Sequence, residues 1–287
     1  MTRSTLLHLR IPFSFYLLPV FLFAFSVSAD FNLVNFVLVA MALHLCLYPA
    51  SNGYNSYFDK DEQSIGGLEH PPQVSNELYW YALLFDLVAV VLGAFVNWNF
   101  VAMLIVYGLV SKAYSHPSIR LKKMAYTGWF IAGLFQGYFT FIMAYIGIND
   151  IDFSTAFQPG IQLPAVLSSL LLWGSYPMTQ IYQHGEDIGR GDITLSVKLG
   201  IRGTFHFTSG AFFIATIGFL YYYRAFYSLY HAGAYLLFLT PVLVYFASWY
   251  LKSGSQPGEV NHANTMKLNF ISALMLNLFF FGFYFLK

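Results

Sequence analysis

Apolar residues fill this chain in runs of about 20, the length a helix needs to cross the hydrocarbon core of a bilayer, and polar residues collect between those runs. Read at that length, the pattern predicts nine membrane-spanning helices, with approximate limits 10–29, 31–50, 78–96, 99–115, 125–148, 162–182, 205–223, 231–251 and 268–286. The least marked divisions lie between the seventh and eighth runs and between the third and fourth, where only Asn97-Trp98-Asn99 intervenes. Two polar interruptions stand out. Asn52 to Pro72 reads NGYNSYFDKDEQSIGGLEHPP after the second run, and Tyr182 to Gly200 reads YQHGEDIGRGDITLSVKLG after the sixth.

Composition agrees with the pattern. Of 287 residues 57% are hydrophobic and 9% charged, against about 25% charged in soluble domains. The expected fold is therefore all-α and polytopic, about nine transmembrane helices around a central cavity, with residues 1–287 forming a single intramembrane domain. A net charge of +1 gives no sign of a nucleic-acid partner. Cys46 is the only cysteine, which excludes an intrachain disulfide. The first 30 residues imitate a secretory signal peptide, ending in small residues with Val27 and Ala29 before Asp30. Their apolar run, however, exceeds the usual signal core of about 7 to 15 residues, and the expectation is a retained first helix.

Orientation follows from the basic residues, which stay on the cytoplasmic side of a membrane. With the N-terminus inside, twelve of the 14 Lys and Arg residues fall on inside segments, and only Arg224 and Lys287 fall outside. The reading is a multi-pass protein of the inner or cell membrane with a cytoplasmic N-terminus. Both acidic islands then face the cytoplasm, with the basic loop SKAYSHPSIRLKK between them after the fourth span.

The islands carry the candidate chemistry. Asn55, Asp59 and then Glu62 or Gln63 recur at spacings that share one face of a helix continued from the second span, while Asp61 points elsewhere on such a helix. Gln180, Gln183 and Asp187 repeat the arrangement, with Glu186 beside them and Arg190 three residues on. Magnesium prefers such hard oxygen donors and is commonly bound through a few carboxylates plus substrate phosphates. A metal-bound diphosphate also needs cations, and Lys112, Arg120, Lys122 and Lys123 offer them, with Tyr114, Ser115 and His116 as hydrogen-bond donors. Each element taken alone also fits a solvated helix end, and the basic loop also fits positive-inside anchoring. Asp192 fits the cap of the helix that ITLSVKLG begins. Polar residues inside spans are costly. Of Asp86, His44, Asn35, Gln136 and Asn277, Asp86 and Gln136 fit either a cavity lining or interhelical hydrogen bonding.

These residues together resemble the UbiA superfamily of intramembrane prenyltransferases, which have nine transmembrane helices and aspartate-rich motifs on cytoplasmic loops after helices two and six. The family's first motif, N-x-x-x-D-x-x-x-D, stands here as Asn55, Asp59 and Gln63. Its second, commonly D-x-x-x-D, stands as Gln183 and Asp187, followed by Gly191, Thr194, Leu195 and Gly200. Tyr114-Ser115, Pro117 and Arg120-Leu121-Lys122 are similar to the run that follows helix four in the family. Three positions depart from the pattern. Gln63 and Gln183 replace aspartates, with Glu62 and Glu186 adjacent to substitute for them, and His70-Pro71 stands where the family has Arg-Pro.

The resemblance implies a Mg²⁺-dependent transfer of a prenyl group from a polyprenyl diphosphate to an aromatic or other lipophilic acceptor, in contact with membrane lipid. On that basis Asn55, Asp59 and Asp187 are the expected catalytic residues. Asn55, Asp59, Glu62, Gln183, Glu186 and Asp187 are the expected metal ligands. Lys112, Arg120, Lys122, Arg190, His70 and Tyr114 are the expected diphosphate contacts; of the many aromatic rings that could face the developing cation, Tyr114 and Tyr182, close to the polar islands, are the first to test. A transporter or channel, and an inactive lipid-binding relative, are the alternatives. A transporter predicts polar residues spread to the midplane, whereas here they concentrate at the cytoplasmic ends.

Overall fold

In a computed structural model, which describes residues 1–30 and 32–287, helices follow one another in the order that the apolar runs predict. The chain opens with α1 (Arg3–Leu9), a 3₁₀ stretch over Ile11–Tyr16 and α2 (Leu18–Ser26). Arg10 adopts a left-handed conformation between the first two, and the pieces before and after Leu17 meet at a 41° bend. Next come α3 (Leu33–Ala40) and α4 (Tyr48–Asp59), joined through a π-helical stretch Met41–Leu47 into one rod, then α5 (Glu77–Ala94) and α6 (Trp98–Ser115). A second π-helical turn, Leu134–Phe139, joins α7 (Ala125–Gly133) to α8 (Thr140–Asn149). The chain closes with α9 (Pro159–Gln180), the short α10 (His184–Arg190), α11 (Leu195–Phe226), α12 (Leu229–Ser255) and α13 (His262–Leu286).

Local chemistry sets these boundaries. Side chains of Asn32, Asn97, Thr194, Ser228 and Asn261 accept hydrogen bonds from backbone N–H groups in the first turns of α3, α6, α11, α12 and α13, satisfying donors that a helix N-terminus otherwise leaves free. The cap of α11 is Thr194 and not Asp192, which is engaged elsewhere. Gly200, at φ 67° and ψ 176°, kinks α11 five residues in, a conformation that a side chain strongly disfavours.

Nine was the expected number of spans, and length and apolarity do not establish it. Among the described residues six helical rods are long and apolar enough to cross a membrane, or seven if the bent pair Arg3–Tyr16 and Leu18–Ser26 is one span. Helices α6 and α9 occupy the places of the fourth and sixth expected spans but are not among them. The reason is visible in their sequences. α9 carries Gln162, Ser168, Ser169, Ser175, Thr179 and Gln180 and packs between α7 and α11, so much of its surface meets protein. α6 is short and polar at both ends, with Trp98-Asn99 and Lys112.

The packed interior is aromatic toward the end opposite the two islands. Phe23 stacks on Phe280 at 4.5 Å between ring centres and contacts Phe219 and Phe141, each at 5.3 Å. Phe219 in turn stacks on Tyr235 at 4.7 Å. These rings are part of one buried cluster of the core.

Candidate active site

Helix α4 brings Asn55 and Asp59, one turn apart, to the mouth of the bundle, and the chain leaves the helix immediately afterward. Lys60 takes a left-handed conformation and its N–H donates to the Ser56 carbonyl, which ends α4 as such caps do. The helical face expected to continue to Glu62 and Gln63 therefore does not exist. Both side chains are exposed, and the Glu62 backbone N–H donates to Glu186 Oε1 at 3.1 Å. Asp61, which on a longer helix would point away, is instead buried and faces the cavity.

The second island folds as α10, entered through Gln183. That side chain donates to the Ser64 carbonyl at 3.0 Å and so ties the two islands together. Asp187 is buried in the first turn of α10. Arg190, one turn later, makes a close ion pair with Asp61 and a 3.3 Å contact with Asp187 Oδ1, and lies 3.9 Å from Glu186. Glu186 itself is outside the cavity lining. Burial pushes the Asp187 carboxyl up to about 6 despite the opposing charge of Arg190.

The basic loop after α6 closes the arrangement. Lys122 pairs closely with Asp59 and approaches Asn55 Oδ1 at 3.4 Å, while Ser115 Oγ donates to the same oxygen at 2.8 Å. Arg120 grips Asp192 with two hydrogen bonds of 2.9 and 2.8 Å and reaches Asp59 at 3.5 Å. Burial opposes the Asp192 charge, but the Arg120 bonds and the nearby Lys122 hold its carboxyl below the ordinary value. A two-residue bridge of Ile193 and Thr194 to Met124 and Ala125 fixes this loop beside the second island.

The candidates thus divide. Asn55, Asp59, Gln183, Asp187, Lys122, Arg190 and Tyr114 line one cavity of about 240 Å³. Arg120 stands just behind it. Lys112 does not line it: it pairs with Asp86 on α5 and lies 5.2 Å from the Tyr54 ring, which also places Asp86 away from the cavity. His70 and Lys123 are exposed, and neither they nor His116 line the cavity. Tyr182 lines it with a buried hydroxyl that has no partner among the described residues.

Sequence reasoning passed over Arg10, Asp61 and Tyr176. Arg10 lines the cavity, its guanidinium held by the carbonyls of Gly66 at 3.1 Å and Asn52 at 3.3 Å, and its Nε is buried without a partner among the described residues. A cation beside an apolar run is expensive and was the available signal. Tyr176 meets Tyr114 hydroxyl to hydroxyl at the cavity wall. A second, more apolar cavity of about 170 Å³ adjoins the first and shares Phe13, Asn52, Gln136, Tyr176 and Thr179 with it.

Among the described residues no three His, Cys, Asp or Glu side chains are grouped so as to hold a metal by themselves, because each cavity acid faces a cation. The donors present are all hard oxygens, and Gln180 Oε1, on a residue that also lines the cavity, is buried with no partner among the described residues. That set fits an ion such as Mg²⁺ that completes its coordination with phosphate oxygens and water, and does not fit a self-sufficient protein cage.

The fold has close parallels. A UbiA homolog from Archaeoglobus fulgidus bound to GPP and Mg2+ has a TM-score of 0.68 at 17% identity, over 98% of this chain and 99% of that one. An apo UbiA homolog from Aeropyrum pernix K1 has a TM-score of 0.69 at 16% identity, over 97% and 98% of the two chains. A structure concerning digeranylgeranylglyceryl phosphate synthase in membranes has a TM-score of 0.61 at 17% identity, over 99% of both. At such identities the likeness carries the fold alone. No curated protein matches the sequence. The sequence signature of the UbiA prenyltransferase family does match, over residues 15–274, and with the apolar helical rods it marks an integral membrane protein. The chain belongs to the UbiA prenyltransferase family.

Proposed function

We propose that this protein transfers a prenyl group from a polyprenyl diphosphate to a lipophilic acceptor, with Mg²⁺ as cofactor, at the cytoplasmic face of the membrane. One observation carries the reading: Asp59 and Asp187, from islands far apart in sequence, line one polar chamber that shares a wall with an apolar chamber. A prenyl diphosphate has the same two-part chemistry. The related structures bound to GPP or DMAPP with Mg2+ support the substrate and cofactor, and the twelve basic residues on inside segments support the sidedness.

Asn55, Asp59, Gln183 and Asp187 are the residues that would hold the ion. When bound, Mg²⁺ supplies positive charge that lowers the barrier to loss of the diphosphate. The chain's own groups do the rest. Lys122 and Arg190 now pair with Asp59 and Asp61 and are placed to transfer their hydrogen bonds to phosphate oxygens, with Arg10 as a third cation. The bond between C1 of the prenyl group and the bridging oxygen breaks, and the diphosphate leaves with the electron pair. A carbon or oxygen of the acceptor donates a pair to C1 and releases its proton. The faces of Tyr114 and Tyr176 at the chamber wall favour the developing allylic cation. Glu62, Glu186, His70 and Lys112 have no part in this scheme, since their side chains do not line the chamber.

The test uses purified protein with labelled prenyl diphosphates and an acceptor panel, with and without Mg²⁺. Asp59→Ala and Asp187→Ala are each expected to reduce metal-dependent transfer about 100-fold or more. Undiminished transfer in either variant would remove that residue from the site. Against a solute path stand the concentration of polar residues at the island end and the buried aromatic packing around Phe23 and Phe280.

A further inference from the structure

The wall shared by the two chambers has an unusual composition. Its polar members are Asn52, Gln136, Tyr176 and Thr179, all uncharged. Gln162, on the neighbouring helix α9, is by contrast satisfied: it accepts from Tyr138 Oη at 2.6 Å and donates to the Ala156 carbonyl at 2.8 Å, as buried polar groups usually are. The Gln136 side chain forms no hydrogen bond among the described residues and faces both chambers.

Its position is built. Gln136 sits in the π-helical turn Leu134–Phe139, a distortion that releases backbone groups and recurs at functional sites. Ser169 of α9 satisfies the released groups, its Oγ donating to the Gly133 carbonyl at 2.9 Å and accepting from the Tyr138 N–H at 2.8 Å. Gly137 permits the contact, because a Cβ there would lie 2.5 Å from Ser169 Cα. The turn is therefore locked against α9 with the amide aimed at the neck between chambers.

We propose that this neck binds the head of an uncharged acceptor bearing hydroxyl or carbonyl groups, with Gln136 as its hydrogen-bonding contact. The inference rests on the prenyl-transfer reading, which puts the diphosphate in the polar chamber, the prenyl tail in apolar surroundings and C1 at the neck. The acceptor's nucleophilic atom must come to the same place. No Lys, Arg, His, Asp or Glu lines the apolar chamber. In the polar chamber the carboxylates of Asp59, Asp61, Asp187 and Asp192 pair with Lys122, Arg190 and, from just behind the wall, Arg120, and among the described cations that line the chamber only Arg10 has no carboxylate partner. The diphosphate, as the more highly charged ligand, takes Arg10. A carboxylate or phosphate on the acceptor would then be buried beside these acids without a counter-charge, which is costly.

Two acceptors that differ by one carboxylate group test this: 1,4-dihydroxynaphthalene and 1,4-dihydroxy-2-naphthoate, titrated onto full-length protein loaded with Mg²⁺ and unreactive geranyl thiolodiphosphate. The wild type is expected to bind the neutral compound about tenfold or more tighter, since an unpaired buried group costs at least one such factor. Gln136→Leu is expected to weaken neutral binding about tenfold and leave thiolodiphosphate affinity unchanged, whereas Gln136→Lys shifts preference toward the carboxylate. Equal or tighter binding of the carboxylate to wild type, an unaffected Gln136→Leu, or binding of neither compound overturns the inference. Failure of the thiolodiphosphate itself to bind in the presence of Mg²⁺ counts instead against the prenyl-transfer reading.

Discussion

At the scale of single residues, the candidate site is a set of buried charges that compensate one another. Arg190 sits among Asp61, Asp187 and Glu186, so removing it strands charges in a poorly solvated place. Arg190→Ala is expected to destabilise the protein by about 3 kcal/mol, whereas Glu62→Ala, on the exposed loop, should stay within about 0.5 kcal/mol. Chemical denaturation in detergent measures both. Asp187 adds a pH dependence whose sign is fixed by the direction of its shift. Burial raises its carboxyl to about 6, so the folded chain holds this proton more tightly than the unfolded one. The group therefore costs stability progressively as pH rises from the ordinary carboxylate range through about 6. Asp187→Asn is expected to be more favourable, relative to wild type, at pH 7.5 than at pH 5 in thermal unfolding, and the opposite order would refute the shift. The pairing Asn55 with Asp59 was legible from spacing alone. The partners Asp61 and Arg10 were not, because Lys60 turns the chain out of the helix and Arg10 arrives from the first helix, and neither event leaves a periodic trace.

At the scale of elements, two glycines show different ways in which backbone geometry serves the site. Gly200 has open space where a Cβ would stand but φ 67°, so Gly200→Ala should cost about 1 to 3 kcal/mol through strain alone. It is expected to straighten or loosen the kink that sets the second island against α11. Gly137, inside the π-helical turn, needs no positive φ but has no room, and Gly137→Ala should cost a similar 1 to about 3 kcal/mol through overpacking against Ser169. Thermal unfolding of the two variants reads the losses, and only Gly137→Ala should also weaken acceptor binding. Helix positions followed from apolar run lengths, including those of α6 and α9. Their lower apolarity did not, because a helix packed among other helices need not be as apolar as one facing lipid. Neither π-helical turn was predicted, and the second takes its released backbone groups to Ser169 of α9, a partner that local sequence does not show.

For the whole molecule, the polar chamber at the island end and the buried aromatic packing around Phe23 and Phe280 define a one-sided site. Orientation is testable with a single introduced thiol. Gln63 is exposed and the native Cys46 is buried, so a Gln63→Cys variant should react with a membrane-impermeant maleimide only from the cytoplasmic side of sealed vesicles. Labelling from the opposite side would reverse the proposed sidedness. Sequence by itself determined the membrane class, the order of the helices and the two islands, because these follow from run length, period and charge near span ends. Only the tertiary structure decided which charges share a chamber, that Lys112 and His70 stand outside it, and that Arg10 and Gln136 stand within. Those outcomes depend on bringing segments about 180 residues apart in the chain to one cavity, as Arg10 and Arg190 are, which hydrophobic periodicity does not encode.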